Sequence, residues 1–229
     1  MNMDRENRDR LVDAIDRFLN ETTTAFQFDE EVHEIRGASD DPTVTHIASS
    51  LWYYYDDCKD HTVDLSKEAW DYFQRLILVL QSDAHVEIET HRRWSVTQAG
   101  AAIALALFCL CAVWLGIGYH LLAVAVPFGL VSVLLSHWRG RGAPQLSPRQ
   151  RSLIPFSSIA EILTVRRSVS GFTKHRYPRD LTRERIRSPL TQVALSLQFH
   201  AMWLVFSPLI LFFQLLPETE TQSRVHRAP

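Results

Sequence analysis

From Trp94 to Trp138 the chain runs for 45 residues without an Asp, Glu, Lys or Arg, and a second such run covers the 30 positions 188–217. Runs of this length restrict the fold more than any average composition does. A helix that crosses a bilayer needs about 20 mostly apolar residues, so the first run is too long for one crossing and about right for two. It divides at Gly116 to His120, GIGYH, where two glycines and a polar pair suit a tight turn. The expected spans are therefore about 97–116 and 120–137. Trp94 and Trp138 bracket the pair and Tyr119 stands at the turn, the places where amphipathic aromatics anchor a membrane hairpin. Pro127 and Gly129 fall inside the second span, where a bilayer tolerates them as a kink. The alternative is two buried helices of a soluble core, which needs a larger protein around them.

The second run opens with Ser188-Pro189, a capping residue followed by proline at the first helical position, and stops at Pro217. It is long enough for a third span with a kink at Pro208; a broken or re-entrant helix is the other reading. Basic residues set the expected orientation. The stretch 138–190 holds 12 Lys and Arg against 3 Asp and Glu, and the hairpin turn holds none. An excess of cations marks the cytoplasmic side. That puts the N-terminus and the 139–187 loop in the cytoplasm of a plasma (inner) membrane, and the short polar tail 218–229 outside.

Residues 1–93 read as an acidic helical domain. Leu11, Val12, Ile15, Phe18 and Leu19 recur at helical spacing, then Phe28, Val32 and Ile35 up to Gly37, a natural helix end. Asp41-Pro42 opens a third helix carrying Val44, Ile47, Leu51 and Tyr54, and Ser66 or Asp64 opens a fourth carrying Trp70, Phe73, Ile77 and Leu80. No strand alternation is read anywhere, so the expected fold class is all-α. It comprises an N-terminal cytoplasmic helical bundle, a two-helix transmembrane hairpin over 94–138 and a third transmembrane helix over 188–217. Up to Thr97 there are 21 acidic and 10 basic residues. This acidic domain can dock onto the basic loop, or the loop can instead lie on anionic lipid.

Candidate chemistry is sparse. In LWYYYDDCKDH, residues 51–61, a continuing helix would put Asp57 and His61 on one face and Asp56 and Asp60 on another. Asp56, Asp57, Asp60 and His61 are thus a candidate divalent-metal set, to which Cys58 can add a thiolate; the plainer reading is a polar helix exit. Glu30-x-x-His33 matches half of a di-iron pattern but occurs once, which favours a solvated face. Glu87, Glu89 and His91 form an acidic cluster with no evident partner. Cys58, Cys109 and Cys111 give no disulfide framework, since the last two lie about 200° apart on a helix. Gly100-xxx-Ala104 and Ala102-xxx-Ala106 permit close helix contact, within the hairpin or in an oligomer. Gln198, His200 and Gln214 fall near the ends of the third segment, where interfacial anchoring accounts for them.

Arg139, Arg141, Arg166, Arg167, Lys174, Arg176, Arg179, Arg183, Arg185 and Arg187 are expected to contact lipid headgroups, with Phe172, Tyr177 and Ile186 as apolar anchors. Ser157-Ser158 before IAEILTV starts a short helix in this loop. No phosphate loop, dinucleotide fingerprint, nucleophile elbow or nucleic-acid module is present, so neither an enzyme nor a nucleic-acid binder finds support, and no cofactor is implied. The expected function is a membrane-anchored interaction or regulatory protein. Its partners would be the bilayer and a cytoplasmic protein or a second copy of itself. A small oligomeric pore and a metal-dependent activity of the N-terminal bundle are the alternatives.

Overall fold

Capping residues place the helix starts. In the computed structural model, which describes residues 3–56, 58–142, 147–178 and 188–227, Asp4 accepts the Asn7 N–H and opens α1 (Arg5–Leu19). Thr24 and Gln27 cap each other reciprocally at the start of α2 (Ala25–Ala38). Asp41 accepts the Thr43 N–H and Pro42 takes the first helical position of α3 (Pro42–Leu51); Ser66 accepts the Ala69 N–H at α4 (Lys67–Gln81). Proline also holds the preceding Asp41 in an extended conformation, so α2 must end nearby. It does so at Ser39, beyond Gly37.

The chain divides into two compact units. One comprises 1–89, 146–186 and 222–229; the other comprises 90–145 and 187–221. In the first, α1 packs on α2, α3 and α4 around Leu11, Ile15, Phe18, Phe28, Ile35, Ile47, Leu51, Phe73 and Leu80, all fully buried. The Phe18 and Phe28 rings stack 4.5 Å apart. The stretch after residue 146 belongs to this core, with α7 (Pro148–Arg151) and α8 (Ile159–Ser168), the latter capped by Ser158. Phe156 and Val165 are buried in it, and Phe172 and Tyr177 pack half-buried against it. Backbone groups hold the following strap: Trp70 Nε1 donates to the His175 carbonyl (3.1 Å), and the His175 N–H to Gln74 Oε1 (2.8 Å). The described 147–178 segment therefore folds together with the acidic region. Apolar anchors and backbone bonds do most of this, with Lys174–Asp71 at 2.7 Å an ion pair between them.

The all-α expectation is corrected by one sheet. β1 (Ala84–Arg93) and β2 (Glu218–Arg227) pair with each other. The contacts Glu87–His226 (3.3 Å) and Glu89–Arg224 (3.8 Å) advance on one strand as they retreat on the other, so the pairing is antiparallel. β1 alternates Ala84, Val86 and Ile88 for only half its length and β2 has Val225 as its lone apolar residue, so pairing at long range makes these strands.

In the second unit, α5 (Val96–Leu115) and α6 (His120–Gly142) are each long and apolar enough to cross a membrane, and Gly116 takes φ +78° at the turn between them. Only 17% and 22% of their most apolar stretches are buried within the protein, which fits poorly with two helices of a soluble core. The third apolar run is broken: α9 (Pro189–Val205) and α10 (Ser207–Gln214) meet at 79°, a broken span or a re-entrant loop. Pro208 causes the break, because it offers no N–H to the preceding turn and clashes with it. Ala101, Ala104, Leu135 and Leu211 form the packed centre of this unit. The Gly100 ridge faces Leu135 and so serves the chain's own packing, whereas Ala102 and Ala106 are exposed.

Burial on α3 makes a pH prediction. Desolvation holds the half-buried His46 imidazole below its ordinary pKa. The unfolded chain then binds that proton more readily, so the stabilisation is complete above about pH 6.5 and is lost as pH falls below it. His46→Gln is expected to lessen the drop in melting temperature between about pH 7.5 and about pH 5; an unchanged slope in the variant would discard this account.

Candidate functional site

The ends of three apolar helices converge in the second unit. The Leu216 carbonyl, just past α10, accepts from Gln98 Nε2 in the first turn of α5 (3.3 Å) and from Arg139 Nη2 near the end of α6 (2.9 Å). Arg139 Nε also donates to Glu218. Beside these groups lies a cavity of about 450 Å³ lined by Arg93, Arg139, Phe213, Leu216, Glu218 and Glu220, with Pro217 and Thr219. Trp94 and Trp138, next in sequence to Arg93 and Arg139, are 69% and 59% exposed.

Below this rim the polar residues of the two charge-free runs find one another. Gln214 Nε2 donates to the Ser132 carbonyl (3.0 Å) and to Ser136 Oγ (3.3 Å), and its Oε1 accepts from Ser132 Oγ (3.2 Å). Trp203 Nε1 donates to Ser132 Oγ (3.2 Å), and Ser207 Oγ to the Ala125 carbonyl (2.8 Å). Ser132 and Ser207 are fully buried. These bonds offset the cost of burying the groups and hold α10 alongside α6. Gln214 is thus a packing residue rather than an interfacial anchor, and the Ser and Gln positions standing out in both runs were the signal for it.

The metal-candidate stretch takes another form. α3 ends at Leu51, a 3₁₀ turn covers Trp52–Tyr54, and a loop follows, so the helical register invoked for the four residues does not arise. Asp60 Oδ1 accepts the Phe26 N–H (3.1 Å), and that bond holds its carboxyl below the ordinary carboxylate range. His61 accepts the Asp56 N–H at Nε2 (2.9 Å) and contacts the Thr62 carbonyl through Nδ1 (2.5 Å), so both ring nitrogens are engaged. Asp56 Oδ1 accepts the Cys58 N–H (2.8 Å), while Asp57 lies outside the described residues. Among the described residues no three His, Cys, Asp or Glu side chains converge on a metal position. Asp60 and His61 tie this loop to the start of α2, where the Ala25 N–H also meets the His61 carbonyl (2.8 Å). Glu30 and His33 are exposed, and the Glu87 and Glu89 cluster finds its partners on β2.

Of the expected lipid-contact residues, Arg139 is on the cavity wall, Arg166, Arg167 and Arg176 are exposed, and Lys174 pairs with Asp71. Arg141 lies within α6, with its side chain outside the described set; Arg179, Arg183, Arg185 and Arg187, with Ile186, lie outside the described residues altogether. Phe172 and Tyr177, expected as lipid anchors, pack against the core of the first unit. A smaller cavity of about 260 Å³ in that unit is lined by Asp29, His33, Arg36, Trp52, Tyr53 and Tyr55 among others, and Trp52 and Tyr53 are 50% and 78% exposed.

No protein-family model matches this chain, and no curated protein or solved structure matches it. The class that fold and site define is a mostly helical protein in which two helices are long and apolar enough to span a membrane, or three segments if the bent pair is one span.

Proposed function

We propose that this chain is an integral membrane protein that holds its helical unit, its 147–178 segment and its C-terminal strand on the cytoplasmic face, anchored by the α5–α6 hairpin and by a third segment that re-enters without crossing. The carrying observation is the Leu216 carbonyl, bonded at once to Gln98 and Arg139. The chain goes into the hairpin, comes out of it and ends its third segment at one level. An even number of crossings satisfies that arrangement; a full third crossing does not. The bend of 79° between α9 and α10 and the excess of Arg and Lys around both ends of the hairpin agree with it.

The work of such a protein is to present a surface at the membrane. Exposed Trp52 and Tyr53 on the helical unit suit contact with a cytoplasmic protein, since large amphipathic aromatics dominate binding energy at interfaces. A regulatory or scaffolding role follows, and a catalytic one gains no support from the metal-candidate loop.

Cysteine labelling in intact cells tests the topology. Single cysteines at Asp40, Ile117, Arg167 and Thr221, in a chain with Cys58, Cys109 and Cys111 replaced, report the four regions. A membrane-impermeant maleimide is expected to reach Ile117→Cys alone, the other three reacting only after permeabilisation. Labelling of Thr221→Cys as fast as Ile117→Cys would mean that the third segment crosses, and the proposal fails.

A further inference from the structure

The cavity at the ends of α5, α6 and α10 carries both signs of charge, and we propose that it binds the headgroup of an amine-bearing glycerophospholipid, phosphatidylethanolamine being the type. This rests on the membrane reading above and adds a ligand to it. Two arginines, Arg93 and Arg139, and two glutamates, Glu218 and Glu220, line one space of about 450 Å³. A volume of that size falls within the usual range of small-molecule sites. Phe213 and Leu216, 57% and 51% exposed, form its apolar wall. A phosphodiester meets the arginines, a primary ammonium meets the carboxylates, and glycerol and acyl chains run along the phenylalanine and leucine.

The depth is set independently of the charges. Each arginine has an exposed tryptophan beside it in sequence, Arg93-Trp94 and Trp138-Arg139. Tryptophan settles at the headgroup level of a bilayer, which puts both guanidinium groups where lipid phosphates are. Arg139 is also prepared for the ligand. Its Nε is engaged by Glu218 and its Nη2 by the Leu216 carbonyl, fixing the plane of the guanidinium. Among the described residues nothing bonds Nη1, which leaves its two N–H bonds, of the five this side chain has, for a phosphate oxygen.

The same groups explain the selectivity. An anionic lipid such as phosphatidylglycerol satisfies the arginines but brings its net charge against Glu218 and Glu220. A choline headgroup carries a quaternary ammonium, which has no N–H to give to a carboxylate. Ethanolamine offers a charge of the right sign and three donors.

Native mass spectrometry of the detergent-purified full chain, equilibrated with equal amounts of phosphatidylethanolamine, phosphatidylcholine and phosphatidylglycerol, tests this. Retention of the ethanolamine lipid is expected to exceed both others by about tenfold, the discrimination one hydrogen bond to a charged group provides. Glu218→Gln with Glu220→Gln should abolish the preference over choline lipid while the far-ultraviolet dichroism stays unchanged. Arg139 also supports the Leu216 carbonyl, so Arg139→Lys, which keeps charge, is the paired variant and should weaken retention of all three lipids. Soluble phosphoethanolamine is expected not to displace the lipid; displacement at equal concentration would show a free-metabolite site and overturn the lipid assignment. Equal retention of the three lipids, a preference for phosphatidylglycerol, or a preference that survives the double glutamine variant each overturns the proposal. If the labelling pattern above holds while selectivity is absent, the membrane reading stands and only the headgroup site falls.

Discussion

Replacing Arg8 with alanine is expected to destabilise the helical unit by about 3–5 kcal/mol, the usual cost of removing one partner of a buried ion pair. Arg8 is 1% exposed, and its guanidinium is used on three sides. Nε meets Asp41 Oδ2 at 2.7 Å, Nη2 meets Oδ1 at 3.4 Å, and Nη1 donates to the carbonyls of Ser82 (3.1 Å) and Ala84 (2.7 Å). One side chain thus joins α1 to the start of α3 and to the turn between α4 and β1. Asp41 in turn accepts the N–H groups of Thr43 (2.8 Å) and Asp4 (3.3 Å). Alanine at position 8 strands a carboxylate and two carbonyls away from water, which is why the loss exceeds that of a surface pair.

The companion variant separates charge from packing. Arg8→Met with Asp41→Asn keeps volume and the α3 cap while removing both charges, and should recover a large part of the loss. Urea unfolding followed by tryptophan fluorescence measures both. A change below about 1 kcal/mol for Arg8→Ala would place the pair with ordinary surface bridges and refute the account. The pH dependence has a fixed sign. Hydrogen bonds from Arg8 and Thr43 outweigh burial and hold the Asp41 carboxyl below its ordinary range. Its contribution is complete above the unfolded pKa of about 3.9 and vanishes as pH falls through the lower folded value.

The role of Arg8 is not legible from its neighbours in the sequence. In RENRDRLVDAIDRF the charges alternate in sign at helical spacing, the pattern of a solvated face, and nothing local marks one arginine as core. Its partners lie 33, 74 and 76 positions away. The same distance hid the sheet, because β1 and β2 are made by pairing with each other and carry few apolar residues of their own. What depends on neighbours within one helical turn was legible: Asp41-Pro42, Ser66, Ser158 and Ser188-Pro189 all open helices where expected. The two charge-free runs likewise gave α5, α6 and the broken third segment. The site at their ends was half legible. Arg139 stands out by its basic surroundings, whereas Glu218 and Glu220 look like part of a polar tail, since it is the pairing of β2 with β1 that brings them beside the hairpin.

Gly129→Val is expected to unseat the third segment from α6. A Cβ at this glycine would lie 2.8 Å from Leu204 Cα and 3.1 Å from the Leu204 carbonyl oxygen, backbone atoms that cannot rotate away. The final turn of α9 therefore rests directly on the α6 backbone, and proximity of this kind is what binds helices in a bilayer that supplies no hydrophobic drive between them. Overpacking costs about 1–3 kcal/mol, which corresponds to about a 5- to 150-fold rise in the unseated population. The cost falls on a contact reinforced by Trp203–Ser132, Ser207–Ala125 and Gln214–Ser132. Ser207, fully buried against Ala125, is the reporter. In Ser207→Cys, with Cys58, Cys109 and Cys111 replaced, a lipid-soluble maleimide should react slowly, and adding Gly129→Val should accelerate it by at least about fivefold. Gly140, where an added Cβ would meet nothing within 4 Å, supplies the control: Gly140→Val adds the same bulk to the same helix and should leave the rate unchanged. Equal rates in all three proteins would mean that Leu204 does not lean on Gly129. Acceleration confined to Gly129→Val would show that the bent segment is held against α6 by backbone contact at one small residue. The hold matters because without it a charge-free stretch of 30 residues is long enough to straighten and cross a bilayer.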